Sequence, residues 1–243
     1  MIFSLSEEQI ELKQAARAWL ADRFPLDRDW EAQDDRWSEL KELGWLDVAE
    51  VGLGFVEEAL LLEEMGYVCY PGFYLGHVAS VPADGDIATV DPSRRFHEVE
   101  ETPRLRAAAA AEALGVAQRA LDLGVEHAKT RTQFGKPIGT YQAVSHPLAQ
   151  TYTDVELARS LVYFAAWCVA EEDERAPVAA ASAKSFATEA AVAACERSIQ
   201  VHGGIGFTWE HPLHRFYKRA LWLEGFGRRP AELRLEVANS LLT

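Results

Sequence analysis

Five consecutive alanines, Ala107 to Ala111, lie inside the proline-free stretch 105–129. Alanine is the strongest helix former, and its small side chain lets neighbouring helices approach closely. Such a segment commits this part of the chain to helix packed on helix. The remainder of the C-terminal half has the same character. A loop at 130–140 leads to a helical stretch at 141–172, with Pro147 near its start, where proline does least harm. Glu171-Glu172-Asp173-Glu174 turns the chain, and 177–201 is a third long helix before Gly203-Gly204-Ile205-Gly206. His211-Pro212 opens a fourth helix to about residue 226, and 230–242 is a fifth. Four or five antiparallel helices joined by short loops describe an up-and-down bundle over 104–243.

The N-terminal part is also helical. Ser6 and Gln9 have capping-box spacing, with Phe3 or Leu5 ahead as a staple, and predict a helix over 7–23. Pro25 and the acidic stretch 27–35 end it. A short helix comes next at 37–43 with Gly44 as its cap, then one at 55–65 that ends at Gly66. Residues 1–81 are thus read as a small helical domain with an acidic outer face. Residues 82–103 contain Pro82, Pro92 and Pro103 among Asp, Gly and Ser, the chemistry of a connector. Stretches 87–90 and 96–99 can supply one hairpin and no β-domain. The fold class expected is all-α.

Composition limits function. Of 243 residues, 49% are hydrophobic and 26% charged, a globular balance. The N-terminus lacks the basic and apolar regions of a signal peptide, and no apolar run is long enough to span a bilayer. The expected setting is cytoplasmic, with no membrane partner. Cys69, Cys168 and Cys195 lie far apart without a CxxC pair, so reduced thiols are expected and a metal site is not. Residues 1–100 hold 8 Lys and Arg against 22 Asp and Glu, and the remainder hold 16 against 16. Nucleic-acid binders concentrate positive charge, so no nucleic-acid partner is expected. The cluster Arg215, Lys218, Arg219, Arg228, Arg229 and Arg234 reads as a solvated helix face before it reads as an anion-contacting surface.

Two loops carry chemistry. Arg131-Thr132-Gln133-Phe134-Gly135-Lys136-Pro137-Ile138-Gly139 places a guanidinium, an amide, a ring and two glycines between long helices, which suits a planar ligand bearing phosphates. Gln142 lies just beyond it. Much later comes Gln200-Val201-His202-Gly203-Gly204-Ile205-Gly206-Phe207, whose glycines free backbone N–H groups beside the next helix, a cradle for a pyrophosphate. The spacing is not that of a Rossmann fingerprint, and no strand precedes it. Each loop alone also reads as an ordinary helix connection. His202 reads as a packed loop histidine, Trp167, Trp209 and Trp222 as core, and Arg159 as an intrahelical partner of Glu156.

Together the loops resemble the C-terminal domain of the acyl-CoA dehydrogenase family. The resemblance also takes in Gln142-Ala143-Val144-Ser145-His146, Asp154-Val155-Glu156-Leu157-Ala158-Arg159 and Thr208; Leu5-Ser6-Glu7-Glu8-Gln9 and 37–44 resemble that family's first helical domain. It implies FAD as cofactor, shared between two subunits. Arg131, Gln133 and Phe134, with Gln142, Gln200, Gly203 and Gly204, then serve the ADP half of a flavin whose ring sits on another chain.

Two departures bear on function. Family chains run to about 380 residues with a middle β-domain that holds the flavin ring and covers the acyl-CoA; here only the 82–103 connector stands in its place. The family also needs a carboxylate base to remove the α-proton of the thioester while hydride leaves for the flavin. The matching positions fall on Gly227 and Leu105, neither of which is a base. No catalytic residue is therefore assigned. Glu224 is a candidate base only if three residues are deleted from the alignment, and otherwise reads as a surface acid near Arg219 and Arg228. Glu100, Glu101 and Glu112 lie near the second position and read as solvated or structural.

The resemblance thus implies a non-catalytic or half-site subunit of an FAD-dependent acyl-CoA dehydrogenase. It would work in a heterotetramer with a partner that brings the ring site, the base and acyl-CoA, similar to degenerate subunits of heteromeric enzymes in actinobacterial steroid side-chain breakdown. Two other readings stay open: a self-sufficient homomer using Glu224, and a helical assembly protein whose FAD loops are relics.

Overall fold

The computed structural model describes residues 4–31, 34–48, 52–72, 74–79 and 101–242. The predicted strands at 87–90 and 96–99, Glu100, and nearly all of the 82–103 connector lie outside the described residues. Helices account for almost all regular structure, as expected for an all-α chain. Helix α1 (Glu7–Arg23) starts in the predicted capping box, the Ser6 hydroxyl accepting from the Gln9 amide and the Gln9 side chain accepting from the Ser6 amide. After it come α2 (Trp37–Glu42), α3 (Phe55–Val68) and α4 (Tyr74–Val78). The bundle is α5 (Pro103–Thr130), α6 (Gln142–Ala170), α7 (Ala176–His202), α8 (Leu213–Gly225) and α9 (Pro230–Leu242). A two-stranded antiparallel ribbon, β1 (Thr132–Gln133) and β2 (Lys136–Pro137), lies between α5 and α6.

Helix α5 is the axis of the molecule. Ala107 to Ala111 are fully buried, and α5 packs against α3, α6, α7 and α8 at once. One hydrophobic core runs from Ala16 and Leu20 of α1 through α3 and α5 to Phe216 and Leu223 of α8.

Helix α3 corrects two expectations. It does not stop at Gly66 but continues to Val68, where Cys69 caps it with φ 52°. Gly66 is instead a crossing residue. A Cβ there would collide with the Glu112 carbonyl, and one at Gly115 with the Glu63 carbonyl, so the α3 and α5 backbones touch where both lack side chains. The acidic outer face is also incomplete, because Glu63 and Glu64 point inward and are buried. Lys13 Nζ donates to Glu63 Oε2 at 2.6 Å, Tyr163 Oη donates to the same carboxylate at 2.7 Å, and Arg159 pairs with it too. Arg17 pairs with Glu64. Burial alone would raise both carboxyls. At Glu63 the charges of Lys13 and Arg159 outweigh burial and hold it below its ordinary value, whereas at Glu64 burial wins and the carboxyl is raised. Arg159 is thus chiefly a link between helices, with Glu156 at 3.3 Å as a secondary contact.

The basic cluster is distributed among acids. Arg219 pairs with buried Glu112 at 2.5 Å, Arg228 with Glu236 at 2.8 Å, Arg234 with Glu189 at 2.6 Å and Arg215 with Glu31 at 2.6 Å. Glu112 is therefore structural, as expected. No helix among the described residues is long and apolar enough to cross a membrane, and no group of acids, histidines and cysteines among them could hold a metal ion.

Candidate functional site

Antiparallel packing brings the end of α5, the start of α6 and the end of α7 to one pole of the bundle. The contact between His127 of α5 and His202 of α7, with ring centroids 4.2 Å apart, ties the two loops together there. Arg131, Gln133, Phe134, Gln142, Gln200 and Gly204 are all exposed at this pole and Gly203 is half-buried. The sequence separates Arg131 from Gly203 by the whole of α6 and α7; the bundle reunites them.

The first loop is a tight hairpin. Phe134 (φ 51°) and Gly135 (φ 80°) hold its two central positions with the left-handed backbone that a type I′ turn demands. Glycine does this freely, but phenylalanine does not. Phe134 nevertheless adopts it and is 93% exposed, so a large ring is held in solvent at a conformational cost. The hairpin is anchored behind the ring: the Ile138 amide donates to Arg131 O at 2.8 Å, Tyr141 Oη donates to Gln133 O at 3.2 Å, and Lys136 Nζ lies 4.4 Å from the Tyr141 ring centre. Tyr141 has a positioning role that no motif announced.

The glycines here differ from those of the core. A Cβ at Gly135, Gly203 or Gly204 would meet nothing within 4 Å, whereas one at Gly206 would press on the Ile199 carbonyl at 2.7 Å. Gly206 packs the second loop onto α7, leaving the backbone at 203 and 204 open for close approach from outside.

The electrostatics differ from the sequence expectation. Gly203–Phe207 is a 3₁₀ turn directly after the C-terminal end of α7, and α8 begins only at Leu213. The Gly203 N–H donates to the Ile199 and Gln200 carbonyls. The negative end of the α7 dipole therefore faces this loop, and α8 begins too far along the chain to place its N-terminus beside the glycines as their pattern suggests. The positive contribution comes from elsewhere. The α6 N-terminus opens at Gln142 with no side-chain cap, and Arg131 pairs with no carboxylate among the described residues.

Two other expectations change. Trp209 is 72% exposed rather than core, lying 4.6 Å from the His214 ring with Lys218 Nζ 4.4 Å from its centre. Trp167 and Trp222 do pack against the core. Glu224 forms no ion pair with Arg219 or Arg228, which pair with Glu112 and Glu236. Partial burial and the neighbouring carboxylates of Glu189 and Glu196 raise its carboxyl. At the other position considered for a base, Glu101 accepts from Lys184 Nζ at 2.6 Å and from the Arg228 amide at 2.9 Å; against the pull of burial these partners hold it low, so it is a structural ion.

Residues 100–227 match the family model for the acyl-CoA dehydrogenase C-terminal domain, and residues 6–85 match that for its N-terminal domain. The chain belongs to the acyl-CoA dehydrogenase family, whose members depend on FAD. Its similar proteins include acyl-CoA dehydrogenase IpdE2 of Mycobacterium tuberculosis, 43% identical over 146 residues, covering 55% of this chain and 44% of that protein. Acyl-CoA dehydrogenase FadE34 of the same organism is 48% identical over 118 residues, covering 48% of this chain and 17% of that protein. The matched segments thus span less than half the length of these relatives. Among solved structures, butyryl-CoA dehydrogenase from Megasphaera elsdenii is 34% identical with a TM-score of 0.56, over 58% of this chain and 37% of that one. The ChsE4-ChsE5 complex from Mycobacterium tuberculosis contains a chain with the same fold, with a TM-score of 0.79 at 20% identity over 100% of this chain and 99% of that one.

Proposed function

We propose that this chain is a half-site subunit of an FAD-dependent acyl-CoA dehydrogenase, a cytoplasmic enzyme that forms the α,β double bond of an acyl thioester. It lends an ADP-half site to FAD held mainly by a partner chain. On this reading the chain divides into helical domains at 1–81 and 104–243, with the 82–103 connector standing in place of the family's β-domain.

The observation that carries the proposal is the composition of the exposed pole. Arg131 offers a planar guanidinium suited to a pyrophosphate, Gln133, Gln142 and Gln200 offer amides, Phe134 offers a ring face, and Gly203 and Gly204 offer unobstructed backbone. These are the groups an adenosine diphosphate moiety needs, and they face outward rather than into a cavity. Bound FAD would supply the hydride acceptor; the role of this chain is to hold and orient the far end of the cofactor. Gly227 and Leu105 offer no base, and Glu101 is tied to Lys184, so proton abstraction falls to the partner. Two solved structures with this fold support a heteromeric assembly: the ChsE4-ChsE5 complex and the Tcur3481-Tcur3483 steroid acyl-CoA dehydrogenase. The second of these is a steroid enzyme, and we read the complex of this chain as a heterotetramer acting on an acyl-CoA.

The test is to purify the chain alone and together with acyl-CoA dehydrogenase chains encoded nearby, and to record flavin absorbance and dehydrogenase activity. Stoichiometric FAD only in the co-purified complex is expected, with Arg131→Ala weakening retention about tenfold or more. The raised carboxyl of Glu224 gives the homomeric alternative its one structural argument. Yellow, active protein without a partner, inactivated by Glu224→Gln, would establish that alternative. If no partner brings FAD, the loops are relics.

A further inference from the structure

Three imidazoles from three segments are in ring contact where the two loops meet. His127 lies in the last turn of α5, His202 is the last residue of α7 and His211 precedes α8. The His202 ring lies between the other two: it stacks on His127 with centres 4.2 Å and planes 29° apart, and meets His211 at a 54° tilt with centres 4.3 Å apart. Backbone partners fix the neutral forms. His202 Nδ1 donates to Ser198 O at 2.8 Å, so its Nε2 carries the lone pair. The Leu213 amide donates to His211 Nδ1 at 3.3 Å, so that nitrogen carries no proton. His214 Nδ1 donates to the His211 carbonyl at 2.9 Å.

Among the described residues, the groups whose charge acts on these rings are all positive when protonated. From α5 and its end come His127 and Arg131, from α7 His202, and from the start of α8 His211 and His214. No carboxylate bonds to any of the four rings among the described residues. Protonating His211 would also break its bond from the Leu213 amide. Burial, followed by these neighbours, lowers His127; burial lowers His202; burial and the other three imidazoles bring His211 down to about 4.

We propose that the His127–His202–His211 stack is a positioning device for the Gly203–Phe207 turn that holds only while its rings are uncharged, so that mild acid releases the turn. His202 is covalently joined to Gly203, so expelling its ring moves the adjoining backbone. The sign comes from the depressed rings. The stacked state binds fewer protons than the released state, whose imidazoles titrate near their ordinary value of about 6.5, so release grows as pH falls below that value. The three rings titrate as one coupled unit. Any consequence for the cofactor rests on the shared-site reading above.

The experiment follows imidazole ring signals and the Gly203 and Gly204 amides by NMR in the full chain, from about pH 7.5 to about pH 4.5, a range that brackets free imidazole. In the wild type the two amides should shift together with the rings, with a midpoint below about 6.5. His202→Phe keeps a stacking face without the central charge, and should move the midpoint down by about one pH unit. His202→Ala removes the wedge, and should place both amides at their released positions even at neutral pH. Rings that titrate independently while the amides stay fixed would overturn the proposal, as would an unchanged midpoint in His202→Phe. The co-purified complex separates the two readings: a turn that responds to acid while FAD retention does not sustains the stack and sinks the shared site.

Discussion

Two regions of this molecule treat polar groups in opposite ways. Where α3 crosses α5 and α6, Glu63 is 1% exposed yet is met by Lys13, Arg159 and Tyr163. At the loop pole, Arg131, Gln133, Gln142 and Gln200 are exposed, and the Gln133 amide nitrogen reaches only the neighbouring Thr132 carbonyl, at 2.9 Å. Buried polar groups must find partners inside the chain, whereas exposed ones are free to find them on another molecule. The glycines divide in the same way. Gly66 and Gly115 are filled by neighbouring backbone, while Gly203 and Gly204 face open space. The helix crossing is complete in itself, and the loop pole has its donors turned outward.

The largest break in that comparison should come from Gly115→Ala. Its Cβ would overlap the Glu63 carbonyl and force α3 off α5, at a cost of about 3 kcal/mol or outright failure to fold. Gly204→Ala adds the same methyl to open space, and should leave stability within about 0.5 kcal/mol while weakening FAD retention in the complex. Urea unfolding of both variants measures the contrast. Equal effects would mean that the two kinds of glycine are not distinct.

Glu63→Ala comes next. It takes the buried partner from Lys13 and Arg159, each about one-fifth exposed, leaving them the more distant Glu64 and Glu156, and should cost about 3 kcal/mol. Arg131→Ala at the loop pole should leave the urea midpoint unchanged. The acid limb gives a second check. Because the Glu63 carboxyl is held below its unfolded value, its contribution is full above the unfolded carboxyl range of about 4.3 and is lost as pH falls through the folded value. The wild-type advantage over Glu63→Gln should therefore be constant near neutrality and shrink below about pH 4.

The helices were legible because their signals are local. The capping box at Ser6 and Gln9, the alanine run and Pro230 gave α1, α5 and α9 within two residues of their observed ends. The loop residues were legible because glycine, arginine and glutamine cluster there in short motifs. What was lost was long-range. Gly66 reads as a helix stop until Glu112, far along the chain, is seen against it. Glu63 and Glu64 read as solvated until Lys13, Arg17 and Arg159 arrive from other helices. His127 and His202 are joined only by tertiary packing, so no pattern of spacing announces their stack. Trp209 was misread because helical spacing of aromatics says nothing about a residue that lies before the helix begins; α8 starts four residues later, at Leu213.

The smallest expected effect is the most discriminating about the exposed pole. Phe134 pays for its left-handed conformation with no burial in return, being 93% exposed. Asparagine tolerates that region far better than an aromatic residue. Phe134→Asn should therefore stabilise the isolated chain by about 0.5 kcal/mol, raising its Tm by about 1–2 °C for a chain of this size. In the complex the same substitution should weaken FAD retention, since it removes the ring while leaving the hairpin intact. A stabilised chain that holds its cofactor less well marks strain kept for function rather than for folding. A stabilised chain with unchanged FAD retention would instead confine the need for Phe134 to something other than the cofactor.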